Sequence, residues 1–181
     1  MVNSYVLVNP HLEGDFKTKI KAKNSKEAAQ KFYKELSGHF SNALPAFHFT
    51  IQKGGSGSGN HYHFEVTEDR KEQKVDFNIK KIDLKDESKV LDKFKNRRNK
   101  WLKEFQAGGK NKSSKKSKKD DSSDSSDSSS DEAFIKRAKK NSIYNQPLYY
   151  WWYDPYLYSL DTVYVPTFYS YVTPYIQLAL Y

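Results

Sequence analysis

Three histidines and a glutamate fall on one parity of two neighbouring segments: His48 in AFHFTIQ, and His61, His63 and Glu65 in HYHFEVTE. Imidazole and carboxylate together can hold zinc. The same alternation describes any solvent-facing pair of strands, so no metal ligand and no cofactor is assigned. Lysine offers a second chemistry. Lys17, Lys19, Lys21 and Lys23 alternate through DFKTKIKAK, and Lys93, Arg97, Arg98 and Lys100 crowd DKFKNRRNKW. Rows of this kind hold phosphates without reading base sequence. A third chemistry is modification. Ser128 and Ser129 each have an acid three residues on, Asp131 and Glu132, the spacing favoured by acid-directed kinases. A phosphate on Ser128 would prime Ser125, and that one Ser122. Each phosphate adds about −1.5 to −2 charges, enough to turn the surrounding stretch from basic to acidic.

Other chemistries lack their residues. No nucleophile stands at a recognisable spacing from a base, and no paired carboxylates sit in an apolar setting. GGSGSGN has the glycines of a phosphate loop but joins two strand-like segments and lacks the Lys-Ser/Thr ending. It reads as a hairpin tip. No catalytic residue is assigned, and the chain is read as non-enzymatic. With no cysteine, disulfides and thiolate sites are excluded, which suits a reducing compartment. No secretory leader is visible at the start. No run of about 18 apolar residues offers a transmembrane segment.

The formal charge of +9 is unevenly spread over 181 residues: +7 in 1–105, +4 in 106–140 and −2 in 141–181. This divides the chain into a basic body (1–106), a low-complexity linker with lysines followed by Ser/Asp (107–140), and a Tyr/Trp/Pro-rich arm (141–181). The linker is too poor in apolar residues to offset the entropy of ordering it.

The elements that must position these residues are legible in the body. SYVLV is a strand, and DFKTKIKAK puts Phe16, Thr18, Ile20 and Ala22 on one face with the lysines on the other. NSKEAAQKFYKELSGHF predicts a helix capped by Asn24 with Glu27 three residues on, its stripe being Ala28, Ala29, Phe32, Leu36 and Phe40. AFHFTIQ and HYHFEVTE predict a hairpin pairing Phe47 with Val66, Phe49 with Phe64 and Ile51 with Tyr62, the register that buries every large side chain. KVDFNIKKIDL is a third strand, whose change of parity at Ile82 and Leu84 predicts a bulge at Lys80 and Lys81. DESKVLDKFKNRRNKWLKEF is a second helix. The expected fold is α+β: a two-layer antiparallel sheet with two helices on one face, in the order strand-strand-helix-strand-strand-strand-helix. Residues 24–105 share this order with double-stranded-RNA-binding domains, but lack their Pro-His loop and their lysine-rich start to the last helix.

The arm poses the sharper question. From Tyr144 onward it holds eleven Tyr, two Trp and one Phe, with Asp154 and Asp161 as its only charges. Prolines 147, 155, 166 and 174 restrict it to short extended pieces. Ordering it costs more backbone entropy than its own rings return, so it needs another surface. Its composition is that of an interface core. The linker's length favours reach to a partner, with Trp151, Trp152, Tyr153, Pro155, Tyr156, Phe168, Tyr169 and Tyr175 as the docking groups.

VYVPTFYSYVTPYIQLALY, preceded by YYWWYDPY, resembles the aromatic C-terminal ends of small proteins of the nucleocytoplasmic large DNA viruses, the mimivirus- and phycodnavirus-like giant viruses. EAAQKFYKELSGHFSNALPAFHFTIQ resembles the N-terminal part of the same proteins. The resemblance implies a virus-encoded protein made in the host cytoplasm and located in the virion, a minor capsid or assembly component whose partners are other virion or capsid proteins. It carries over no catalytic residue. The rival expectation is a viral nucleic-acid-binding protein for genome packaging or transcript handling.

Overall fold

The computed structural model describes residues 2–54, 59–71, 74–107, 148–170 and 172–179. The linker from residue 108, with Ser122, Ser125, Ser128 and Ser129, lies outside the described residues, as does the centre of the GGSGSG tip. The chain divides into two compact units, Met1–Phe94 with Gln146–Tyr181, and Lys95–Asn145.

In the first unit, β1 (Asn3–Asn9), β3 (Lys19–Ala22), β4 (Phe47–Lys53), β5 (His61–Lys71) and β6 (Lys74–Ile82) form an antiparallel sheet in the order β3-β1-β4-β5-β6. The β4–β5 register is the one the hydrophobic pattern demands: Phe47 opposite Val66, Phe49 opposite Phe64, Ile51 opposite Tyr62. Gly59 closes this hairpin. A Cβ there would stand 1.4 Å from the Lys53 carbonyl oxygen, and the Lys53 amide donates to the Asn60 carbonyl at 2.9 Å. Only glycine tolerates so close an approach of backbone to backbone.

Helix α1 (Ser25–Ser37) starts where Asn24 Oδ1 accepts the Glu27 amide at 2.8 Å, and Glu27 in return accepts the Lys23 amide at 2.9 Å. Its Phe32, Tyr33 and Leu36 are fully buried. Tyr33 stacks on Phe49 at 6.4 Å and meets Phe77 edge-on at 5.0 Å. This places α1 on the face that carries Phe49 and Phe64. The α+β class, with an antiparallel sheet and two helices, is as the periodicity indicated.

Two details depart from expectation. β5 and β6 pair without interruption from His63–Ile82 to Lys71–Lys74, so there is no bulge at Lys80 and Lys81. Ile82 keeps strand parity and goes to the His63 face, while Lys81 lies 5.9 Å from the centre of the Tyr62 ring. The bulge is unnecessary because the His63 face is itself covered. The start of α2 (Glu87–Ala107) reaches it, with Glu87 Oε1 3.5 Å from His63 Nε2. The sheet's irregularity falls instead in β1, between Leu7 and Asn9.

The second departure is the arm. β7 (Tyr150–Tyr153) is the middle strand of a second sheet, antiparallel to β2 (His11–Glu13) and parallel to β8 (Tyr175–Leu178). All four residues of YWWY are buried. Trp151 meets Phe47 at 6.1 Å, Tyr153 stacks on Phe47 at 6.0 Å, and Trp152 lies 6.0 Å from Phe94 of α2. The loop after α1 clips the arm further along, where the Ser41 amide donates to the Thr167 carbonyl at 2.8 Å and the Thr167 amide to Asn42 Oδ1 at 2.8 Å. The expectation that the arm needs a foreign surface is therefore corrected. The length of the linker does not oppose this packing, because loop-closure entropy grows only logarithmically, about 0.6 kcal/mol per doubling, far less than a buried tryptophan contributes.

Of the second unit, the described part is the remainder of α2, residues 95–107.

Candidate functional site

The lysine row is built by strand geometry. Among the described residues β3 is the edge strand of the large sheet, paired with β1. Ile20 and Ala22 turn inward, opposite Tyr5 and Asn3, while Lys17, Lys19, Lys21 and Lys23 are all exposed. Side chains two residues apart on a strand repeat every 6.5 to 7 Å or so, so the ammonium groups of Lys19 and Lys21 are anchored at that spacing. The nearest helix acid, Glu27, is engaged with the Lys31 ammonium at 2.7 Å and the Lys23 amide, and both bonds hold its carboxyl below the usual range. In the basic cluster of α2, Lys93 belongs to the first unit and is exposed. Arg97, Arg98 and Lys100 belong to the second, the two arginines half-buried and Lys100 exposed. Burial lowers the Arg98 pKa.

The docking groups separate into two sets. Trp151, Trp152, Tyr153 and Pro155 are buried in their own unit, which corrects their assignment as groups presented to a partner. Phe168 and Tyr175 are half-buried, Phe168 against Trp151 at 5.6 Å and Tyr175 stacked on Tyr150 at 5.5 Å. Tyr156 and Tyr169 stay exposed, and Tyr164 and Ile176 join them.

The histidines are not on an open face. His48 is half-buried, its Nε2 3.8 Å from Glu65 Oε1, and desolvation lowers its pKa against the pull of that carboxylate. His63 is 2% exposed. Among the described residues no group of three or more His, Asp and Glu is arranged to hold a metal ion. His63 belongs instead to a buried polar chain that sequence reading missed. Its Nδ1 lies 2.8 Å from Thr50 Oγ1, which lies 2.8 Å from the Tyr158 hydroxyl, which accepts from Asn9 Nδ2 at 3.1 Å. Asn9 also binds the Asp154 backbone, donating to its carbonyl at 2.9 Å and accepting its amide at 3.0 Å. Asp154 caps a 3₁₀ turn (Pro155–Leu157) through the Tyr156 amide at 3.1 Å. That cap was readable from an acid before proline. Nothing in the spacing of Asn9, Thr50 and Tyr158, which lie far apart in sequence, announces their meeting.

Thr50, His63 and Glu87 have the order of a nucleophile, base and acid, but the Thr50 hydroxyl is fully buried and shared with Tyr158, so no substrate reaches it. Beside Tyr158 lies a cleft of about 290 Å³ lined by Ile82, Asp83, Leu84, Lys85, Val90, Leu157 and Ser159.

An uncharacterized protein of Acanthamoeba polyphaga mimivirus, L492, is 38% identical to this chain over 113 residues, 62% of this chain and 62% of the relative. The chain thus spans about three-fifths of that relative's length. The similarity points to a giant-virus protein family. No protein-family model and no solved structure matches the chain. Among the described residues no helix is long and apolar enough to cross a membrane.

Proposed function

We propose that this chain is a noncatalytic nucleic-acid-binding protein of giant-virus type, holding the phosphate backbone along the β3 edge. The carrying observation is that Lys19 and Lys21 on the edge strand β3, and Lys17 and Lys23 on either side of it, are all exposed. A sequence pI near 9.4 supports the same partner class. Such binding is electrostatic, weakens with salt, and does not discriminate base sequence. Edge lysines also keep strands from pairing with other sheets, and the test separates the two roles. Affinity for duplex DNA and duplex RNA is measured across salt concentrations with the full chain and with a variant carrying Gln at all four lysines. The expected result is a log–log salt slope that is shallower in the variant by up to about 0.9 per lost phosphate contact. Equal slopes, or no retention by the full chain, would remove the proposal.

A second reading, a minor virion or capsid component that docks on other virion proteins, is favoured by one observation. Tyr156, Tyr164, Tyr169 and Ile176 of the arm are 36 to 46% exposed, and exposed tyrosines are favoured contact groups. Crosslinking in purified particles tests it: absence of the chain from particles, or of crosslinks from these tyrosines to another protein, would discard it.

A further inference from the structure

The buried polar chain has a direction that hydrogen-bond chemistry dictates. The Asp154 amide can only donate, and it donates to Asn9 Oδ1, so the other terminus of that side chain is the NH₂ group. This group donates to the Tyr158 oxygen. Thr50 Oγ1 is then the acceptor left for the phenol's own proton, at 2.8 Å. With Tyr158 donating to it, Thr50 passes its proton on to His63 Nδ1. The imidazole is thereby held neutral, with its proton on Nε2 facing Glu87. A metal at Nε2 would need the opposite tautomer.

Protonating Nδ1 reverses the last link. Thr50 Oγ1 can accept from both His63 and Tyr158, but its own proton then has no acceptor, in a site where Thr50 is fully buried. The groups facing the ring pull in both directions. Glu87 on α2 and Asp83 after β6 favour the imidazolium, Lys81 on β6 opposes it, and burial opposes it most. Thr50 on β4 and Tyr158 after the 3₁₀ turn act through the hydroxyl chain. We propose that His63 is a pH-sensitive latch on the C-terminal segment: neutral, it completes the chain that ties Tyr158 to the large sheet; protonated, it leaves the buried Thr50 proton without an acceptor, which weakens that chain and loosens the segment Asp154 to Tyr158. The device links a proton on the body to the strand YWWY and its aromatic surroundings.

The full chain is titrated by NMR from pH 7.5 to 5, following the ring nitrogens of each histidine together with amide exchange corrected for its intrinsic pH dependence. The expected result is an Nε2–H tautomer for His63 at neutral pH. Protection at the Asp154 and Tyr158 amides falls about tenfold in step with the His63 titration, and the pairs of β4 and β5 away from it stay protected. In His63→Gln the fall disappears. An Nδ1–H tautomer in the unaltered protein, protection that does not follow His63, or an unchanged fall in the Gln variant would each overturn the latch. The tautomer decides the matter even where the variant does not fold.

Discussion

Trp151 of β7 lies edge-on to Phe40 from the loop after α1, ring centroids 6.0 Å apart and planes at 71°. Both side chains are completely buried. Edge-to-face contact sets the positive rim of one ring against the negative face of the other, and the same indole also meets Phe47 and Phe168. The end of the chain is thereby part of the core of its beginning.

Trp151→Ala should therefore act as a core truncation and destabilise the unit by about 3 to 5 kcal/mol. Urea unfolding followed by circular dichroism checks this. Tyr169→Ala, at a ring 42% exposed, should stay within about 0.5 kcal/mol. Equal effects at the two sites would mean that the arm is not integrated as described. Removing residues 148–181 should likewise leave a body that melts well below the full chain, because Phe40, Phe47 and strand β2 lose their cover.

Gly59→Ala should cost more than an exposed hairpin substitution ordinarily does, on the order of 2 kcal/mol or more. The reason is the 1.4 Å approach of the added methyl to the Lys53 oxygen. Ala at Gly54, where the space is open but φ is +90°, should cost about 1 kcal/mol from backbone strain alone. Thermal melts of both variants rank the two effects, and the reverse order would refute this account of the turn.

Acid should destabilise the protein in a defined window. Desolvation lowers the pKa of His39, His48 and His63 below the usual 6.5, so the unfolded chain binds more protons than the folded one as pH falls past that value. Stability from the neutral rings is fully present above pH 6.5 and is lost as pH drops through the folded values. The urea midpoint should fall between pH 7.5 and 5, and a flat profile would contradict the burial of these rings. At the alkaline end, burial raises the Tyr153 and Tyr158 phenols above 10.0. The unfolded chain then ionises first, and stability declines as pH rises past that value.

Local pattern determined much of this protein. Alternation in AFHFTIQ and HYHFEVTE restricted the β4–β5 register, since a one-residue slip would turn one strand's phenylalanines outward. Asn24 and Glu27 marked the start of α1, and the exposure of Lys17, Lys19, Lys21 and Lys23 follows from the half-buried Ile20 and buried Ala22 on the opposite face. Each depends on residues a few positions apart, where strand and helix periods act directly. The placement of the arm was a different matter. Its aromatic content required a cover, but composition does not distinguish a surface of the same chain from that of another. Only the tertiary structure decided it, by bringing Phe40 and Phe47 to Trp151 across more than a hundred residues. The same holds for His63. The strand period put it on a polar face, and the fold then buried that face by setting Tyr158 and Glu87 against it. A period-two pattern reports which side of a strand a residue occupies and carries no information about what, at long sequence separation, comes to cover that side.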